Sequence, residues 1–169
     1  MDTLEQSKQT KSSATKILDQ TDLVRRLSKY GDVRIGGSYF TDLMSDADID
    51  VSVAAKDPRG AALGFLNDII NDRVCEKYQY GDFEKFPREN RPKDHIVVLI
   101  LQYDKRRWEI EVWFSKEHDK EQLSLEERLN SLPSETKRQI IERKCARAKS
   151  GQSKHELSSF DIYKDYIHG

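Results

Sequence analysis

Apolar residues recur at two different spacings along the chain, and the spacing changes near Gly31. Before Gly31 the spacing is helical, which predicts a helix with four apolar positions: Ile17, Leu18, Val24 and Leu27. After Gly31 apolar and polar residues alternate, which is typical of half-buried strands. This alternation predicts a short strand ending at Ile35 and a second strand over residues 48–54.

The rest of the chain is predicted to form one helix, three strands and a helical end. Pro58 is well placed in the first turn of a helix with an apolar stripe that extends to about residue 72. Three stretches then favour strands: 74–80, 94–103 and 107–114. The second is the most hydrophobic in the chain, so we expect a central strand buried on both faces. A tight hairpin at 104–106 would join it to the third.

This order predicts an α/β (α+β) fold with a mixed β-sheet of about five strands flanked by helices, followed by a helical C-terminal tail. Residues 1–13 are polar and are predicted to form a flexible N-terminus. Residues 14–115 would form the main domain. Residues 116–169, in which Pro133 and Gly151 interrupt the helices, would form a helical region packed on that domain.

The composition limits the possible partners. The 169 residues are 35% charged, compared with roughly 25% in an average domain, yet the formal net charge is only -1. Contacts with nucleic acid must therefore depend on local basic patches, of which the loop with Lys85, Arg88, Arg91 and Lys93 is one. The two cysteines have no zinc-type spacing. Without a long apolar run or a signal-peptide core, we expect a cytoplasmic protein with no membrane partner.

Candidate chemistry is concentrated in residues 34–53, where a Gly-Gly-Ser turn precedes three aspartates at alternate positions. Like charges so close together are costly unless something neutralises them. Asp48 and Asp50 lie about 6–7 Å apart on one face of the predicted strand, as ligands of a hard divalent cation such as Mg²⁺ would. Gly37 and Ser38 could offer backbone N–H groups and a hydroxyl to an anion. Together these groups indicate a site for a metal and a nucleotide, with Asp46 as an additional acid.

The motif Gly37-Ser38, nine intervening residues, then Asp48-Ile49-Asp50 on a strand resembles the signature of the nucleotidyltransferase superfamily related to DNA polymerase β. The resemblance implies that the Gly-Ser turn holds a triphosphate and that the aspartates hold two metal ions, Mg²⁺ or Mn²⁺. It also implies a third catalytic and metal-binding carboxylate on a later strand. Glu111 is the better candidate for it and Glu109 the alternative.

The resemblance implies that residues 14–115 are a catalytic domain that transfers a nucleoside monophosphate from an NTP such as ATP to an acceptor hydroxyl, with release of pyrophosphate. The acceptor stays open: a small molecule, a nucleotide, a nucleic-acid end or a protein. One alternative is a catalytically weak domain of the same fold that binds a nucleotide or a protein. Another is a nuclease-type metal site, although a nuclease does not need the Gly-Gly-Ser turn.

A late basic helix, residues 135–149, supplies further candidates. Arg143 and Lys144, and also Arg147, could reach triphosphate oxygens or a polynucleotide backbone. The plainer interpretation is a solvated amphipathic helix docked through an apolar stripe of four residues: Ile140, Ile141, Cys145 and Ala148. Trp108 and Trp113, on either side of the glutamates, are interpreted as packing residues.

Overall fold

The computed structural model of the chain describes residues 2–89, 91–152 and 156–167. The predicted helical region 116–169 is thus described except for residues 153–155, 168 and 169. The described elements are α1 Thr3–Gln20, α2 Leu23–Leu27, β1 Asp32–Ile35, α3 Gly37–Phe40, β2 Asp48–Ala54, α4 Pro58–Asp72, β3 Lys77–Asp82, β4 His95–Tyr103, β5 Arg106–Ser115, α5 Lys120–Asn130, α6 Ser134–Lys149 and α7 Ser159–Ile167. None of the helices in these ranges is long and apolar enough to cross a membrane.

The five strands form one mixed sheet in the order β1-β2-β5-β4-β3, which confirms the predicted fold class. β2 and β5 run parallel, and the other neighbours are antiparallel. The most hydrophobic strand, β4, is an interior strand between β5 and the edge strand β3, and it is buried at most positions on both faces, as predicted. Its hydrophobicity is typical of a strand buried on both faces.

One face of the sheet holds the main hydrophobic core. Ile49, Val51 and Val53 of β2 point into it, as the alternation predicted, beside the inward residues of β4 and β5. Helices α1, α2 and α4 cover this face with apolar residues: Ala14, Ile17, Leu23, Leu27, Ala62, Phe65 and Ile69. Since side chains alternate along a strand, the polar residues of β2 lie on the opposite face.

Helix α1 begins at Thr3, earlier than the flexible residues 1–13 of the sequence prediction would allow. Two of its small polar residues, Ser7 and Thr10, are buried. The Ser7 hydroxyl donates to the carbonyl of Asp42, and the Thr10 hydroxyl donates to the helix carbonyl of Gln6. Polar composition predicted exposure, whereas local bonding allows these small side chains to be buried.

A second, smaller core joins the C-terminal helices to each other and to the loop after α3. It consists of Leu43, Leu129, Ile140, Ile141, Ile162, Tyr163 and Ile167. The buried face of α6 differs from the predicted stripe, because Lys144 and Arg147 are buried while Ala148 is exposed. Both cations have carbonyl or carboxylate partners, and buried charge is tolerated only when it is paired in this way.

The β4–β5 hairpin turns at Asp104 and Lys105, both with positive φ, of 49° and 61°. Positive φ at both central residues is the requirement of a two-residue turn whose twist matches that of the flanking strands. The predicted hairpin is confirmed one residue shorter, since Arg106 is already in β5. The strand predicted at 74–80 is instead displaced toward the C-terminus, to Lys77–Asp82.

The Tyr30 hydroxyl donates to Asp68 of α4 at 2.7 Å, and the Tyr30 ring meets Phe65 edge-on. Burial, with this hydrogen bond, raises the pKa of Tyr30 to about 12. The unfolded value is about 10, so the stabilisation is complete below about pH 10 and is lost as the pH rises through about 12. We expect the free energy of unfolding of Tyr30→Phe to fall less than that of the wild type between about pH 10 and pH 12, as measured by urea unfolding. Tyr78→Phe, at an exposed position on β3, should leave the loss unchanged.

Candidate active site

The Gly-Gly-Ser turn lies directly against the strand that contains the aspartates. The Gly36 N–H donates to the backbone carbonyl of Asp50 at 2.9 Å, which continues the β1–β2 pairing into the turn. Gly37 has φ +60°, a left-handed conformation that favours glycine. A methyl group on Gly37 would overlap the carboxylate of Asp50. Glycine is therefore required at this position both for backbone conformation and for space.

The candidate carboxylates lie on the face of the sheet opposite the main core. In the parallel β2–β5 pair, Asp48 is opposite Glu109 and Asp50 is opposite Glu111. Neighbouring strands are about 4.8 Å apart, so this register brings four acidic side chains to one patch of the open face. The sequence predicted that β2 and β5 each present carboxylates on one face. Their parallel pairing in this register is a property of the fold.

Glu111 has two neighbours that stabilise its charge. The indole N–H of Trp113 donates to Glu111 Oε2 at 3.3 Å, and the guanidinium of Arg91 lies 3.9 Å from the same oxygen. Glu109 is placed by its backbone N–H, which donates to the carbonyl of Ala47 at 2.9 Å. Both glutamates are only partly exposed.

The donor set suits a hard cation, because it offers only carboxylate oxygens on adjacent strands. In the conformation described for residues 2–89, 91–152 and 156–167, no three acidic, histidine or cysteine side chains are close enough together to hold an ion. The register nevertheless puts Asp48, Asp50 and Glu111 within side-chain rotation of one another. Their role as metal ligands, and the choice between Glu111 and Glu109, stay predictions.

Cations from α6 hold the loop between Ser38 and Asp48. Lys144 is 2% exposed as a residue, and its ammonium donates to the carbonyl of Leu43 at 2.8 Å. The guanidinium of Arg147, 4% exposed as a residue, donates to Asp46 at 3.3 Å. Lys137 lies 3.7 Å from Asp42. Asp46 therefore has a structural partner. The loop between Ser38 and Asp48 is held by α6 near its middle, at Asp42 and Leu43, and near its end, at Asp46.

The two cations predicted to bind the triphosphate have other partners in the structure. Lys144 is bonded to the Leu43 carbonyl, and Arg143 donates to Asp165 of α7 at 2.6 Å while packing over Tyr166. These contacts are with Leu43, Asp165 and Tyr166, and the binding role of Arg143 and Lys144 stays a prediction.

Glu126 of α5 is the residue that sequence reasoning missed. Its Oε1 accepts from the Gly37 N–H at 2.7 Å and from the Gln122 amide at 3.0 Å, while Oε2 pairs with Arg34. Glu126 is 3% exposed, so the pair is desolvated. Its burial could have been predicted from its position three residues before Leu129, on the apolar side of an amphipathic helix. Its partner could not be inferred, because Gly37 is 89 residues away in the sequence.

We expect Glu126→Ala to destabilise the fold by roughly 3 kcal/mol, because it leaves Arg34 without its ion-pair partner and the Gly37 N–H without an acceptor. Glu127→Ala, at the next and exposed position of the same helix, is the matched control and should cost less than about 0.5 kcal/mol. Urea unfolding of both variants measures the difference. Equal effects of the two substitutions would contradict the positioning role of Glu126.

A hydrogen-bonded chain crosses the edge of the open face. The Ser52 hydroxyl and His118 Nδ1 are 2.9 Å apart, and His118 Nε2 is 3.1 Å from Asp32 Oδ2. His118 lies in the connection between β5 and α5, so this chain links that connection to β2 and β1. It positions the start of the helical region that contains Glu126.

Solved structures with a similar fold exist, although no protein-family model and no curated protein sequence matches the chain. The Cid1 poly(U) polymerase, in a structure with Mg and 3′-dATP bound, has a TM-score of 0.67 at 18% identity and matches 92% of this chain but 48% of its own. A cytoplasmic RNA terminal U-transferase has a TM-score of 0.63 at 18% identity, over 92% of this chain and 46% of its own. The polymerase core of TRAMP, an RNA surveillance complex, has a TM-score of 0.62 at 18% identity, over 89% and 46%.

These similarities concern the fold. The chain spans about half the length of the solved structures it matches, at an identity too low to transfer their activities. The resemblance found in the sequence is therefore confirmed for the fold, while the reaction and the substrates need their own argument.

Proposed function

We propose, from the DNA polymerase β-like nucleotidyltransferase fold that this chain has, that it transfers a nucleoside monophosphate from an NTP to an acceptor hydroxyl and releases pyrophosphate. One observation above all supports the proposal. The parallel register places Asp48 and Asp50 beside Glu109 and Glu111 on the open face, next to the glycine turn. A binding module has no evident need for this concentration of carboxylates.

The residues of the turn would bind the triphosphate. Because the Gly37 N–H is already bonded to Glu126, we assign phosphate binding to the Ser38 hydroxyl and to the close backbone approach that glycine allows. Asp50 touches this turn through its backbone and its carboxylate, so metal ligands and phosphate would share one rigid support. Positioning of this kind, together with electrostatic stabilisation, supplies most of the rate enhancement in phosphoryl-group transfer.

Asp48, Asp50 and Glu111 would hold Mg²⁺ or Mn²⁺, which when bound offsets charge on the phosphates and lowers the pKa of the attacking hydroxyl. The chain's own contribution is to hold the carboxylates in adjacent strands and to keep the turn against them. Whichever of Glu109 and Glu111 does not bind metal could accept the proton of the acceptor hydroxyl.

The names of the similar proteins, a poly(U) polymerase and an RNA terminal U-transferase, favour a nucleic-acid end among the four acceptor classes. Mg and a nucleotide are bound in one of those structures, which supports the same ligands here. The competing function is a catalytically weak nucleotide-binding or protein-interaction domain. The nucleotide-binding experiment below separates it from the proposed transferase.

Thermal unfolding with each nucleoside triphosphate, with and without Mg²⁺, tests the proposal without knowledge of the acceptor. A ligand that binds only the folded state at about 100 times its Kd stabilises the fold by about 2.7 kcal/mol. We expect a rise in Tm that requires both Mg²⁺ and the nucleotide. No shift with any nucleotide at millimolar concentration would favour the weak or partner-binding domain instead.

A further inference from the structure

We propose that the β3–β4 loop and Trp113 form a binding surface for a short single-stranded nucleic-acid segment, whose end would serve as the acceptor. We call it the aromatic–cation surface: Phe83, Lys85, Phe86, Arg88, Arg91 and Trp113. The inference rests on the proposed function, because a transfer reaction needs an acceptor bound beside the carboxylates in addition to the NTP.

The aromatic–cation surface lies on the side of the carboxylates away from the glycine turn. The turn follows β1, at one edge of the sheet, and the strands then follow in the order β2, β5, β4 and β3. Trp113 is two residues after Glu111 on the same face of β5, and its indole N–H donates to that carboxylate. The β3–β4 loop reaches the same point from the other edge, since Phe83 packs on Trp113 with 5.8 Å between ring centroids. The two ligands of a transfer reaction would thus lie on opposite sides of the acidic patch.

Three aromatic rings of this surface are each paired with a cation. Arg91 lies over Trp113 at 5.9 Å, Arg88 over Phe83 at 5.3 Å and Lys85 over Phe86 at 5.4 Å from the ring centroids. Phe86 is 64% exposed, which is unusual for a phenylalanine that serves packing alone. The sequence analysis interpreted both tryptophans as packing residues. Trp108 is 1% exposed and packs in the core, whereas Trp113 is partly exposed.

Repeated ring–cation pairs match the chemistry of a single strand, in which bases stack on aromatic faces and phosphates meet cations. A polycationic small molecule would instead be repelled by Arg88 and Arg91. A free nucleotide would need one such pair, whereas this surface offers three in succession. Since the loop is only part of a chain with a net charge of -1, binding should depend on these residues and should weaken as salt increases.

Fluorescence anisotropy of labelled single-stranded RNA and DNA oligonucleotides tests the surface, without metal or NTP. We expect Arg88→Gln with Arg91→Gln to weaken binding roughly tenfold at low salt and to reduce the salt slope by about 1.4, or 0.7 per lost phosphate contact. The control is Arg25→Gln with Arg73→Gln, two exposed arginines on the α2 and α4 side of the sheet, and should change affinity less than about twofold. Phe86→Ala, at an exposed position, should weaken binding without loss of stability.

Trp113 offers a second measurement. Because Trp108 is buried, oligonucleotide stacking should quench mainly the fluorescence of Trp113, and Trp113→Phe should remove the quenching while keeping an aromatic ring. The proposal would be overturned if the Arg88/Arg91 variant and the Arg25/Arg73 control lost oligonucleotide affinity equally. It would also be overturned if the wild type bound no oligonucleotide at low salt. Binding of mononucleotides as tightly as oligonucleotides would also overturn it. None of these outcomes affects the Mg²⁺-nucleotide thermal shift, which tests the proposed function separately.

Discussion

Asp48→Asn combined with Asp50→Asn is expected to abolish Mg²⁺-dependent stabilisation by nucleotides and to lower transfer activity by roughly 10³-fold or more. The substitutions preserve side-chain size beside Gly37, where the Asp50 carboxylate is tightly packed, but remove the negative charge. In the apo state the substitutions remove two of the four charges that share this patch through the β2–β5 register, which relieves their mutual repulsion.

The matched control for this variant is Asp19→Asn with Asp104→Asn, which changes the charge equally at two exposed positions outside the acidic patch. It should retain the full nucleotide-dependent shift in Tm. Asp104 has positive φ, a conformation that asparagine accepts readily. Marked unfolding of the Asp48/Asp50 variant in the absence of ligand would mean that these aspartates serve the fold, and the metal-site hypothesis would fail.

Gly37→Ala is expected to lose both stability and nucleotide binding, and Gly151→Ala separates the two causes. Both glycines have positive φ, of 60° and 73°, so each substitution has a similar backbone cost of about 1 kcal/mol. Among the residues that the structure describes, no heavy atom lies within 4 Å of a methyl group placed on Gly151, whereas a methyl group on Gly37 overlaps the Asp50 carboxylate. We therefore expect Gly37→Ala to cost at least about 2 kcal/mol more in urea unfolding.

Nucleotide binding gives a second comparison between the two alanine variants. In Gly37→Ala the Asp50 side chain must move, so the Mg²⁺-dependent thermal shift should disappear. Gly151→Ala should keep it, because a methyl group there does not meet the Asp50 carboxylate. If both variants lost equal stability and kept nucleotide binding, close contact between Gly37 and Asp50 would be irrelevant to the site.

The parts of the fold that sequence predicts well are those that depend on neighbouring residues. β2 follows from the alternation of Ile49, Val51 and Val53, and the start of α4 follows from Pro58. The motif of Gly37, Ser38 and the two aspartates is also local, since it lies within one turn and one strand. Local signals of this kind do not depend on how distant segments pack.

The parts that sequence misses depend on contacts between distant segments. Lys144 and Arg147 look like solvated helix cations until α6 docks on the loop, where their partners are 101 residues earlier in the chain. The same holds for Glu126, whose role exists only where α5 meets the glycine turn. Polar residues at the start of α1 likewise suggested flexibility, because composition does not report the carbonyl that accepts from Ser7.

The anchoring of the glycine turn by later helices has a consequence for the order in which the protein matures during translation. The turn and the acidic strand are synthesised early, whereas Glu126, Lys144 and Arg147 follow only after all five strands have been made. A nascent chain can therefore pair β1 with β2 before anything holds Gly37 or the Asp46 loop from the other side. Under the proposed function, competence to bind nucleotide should therefore arise only after α5 and α6 have left the ribosome.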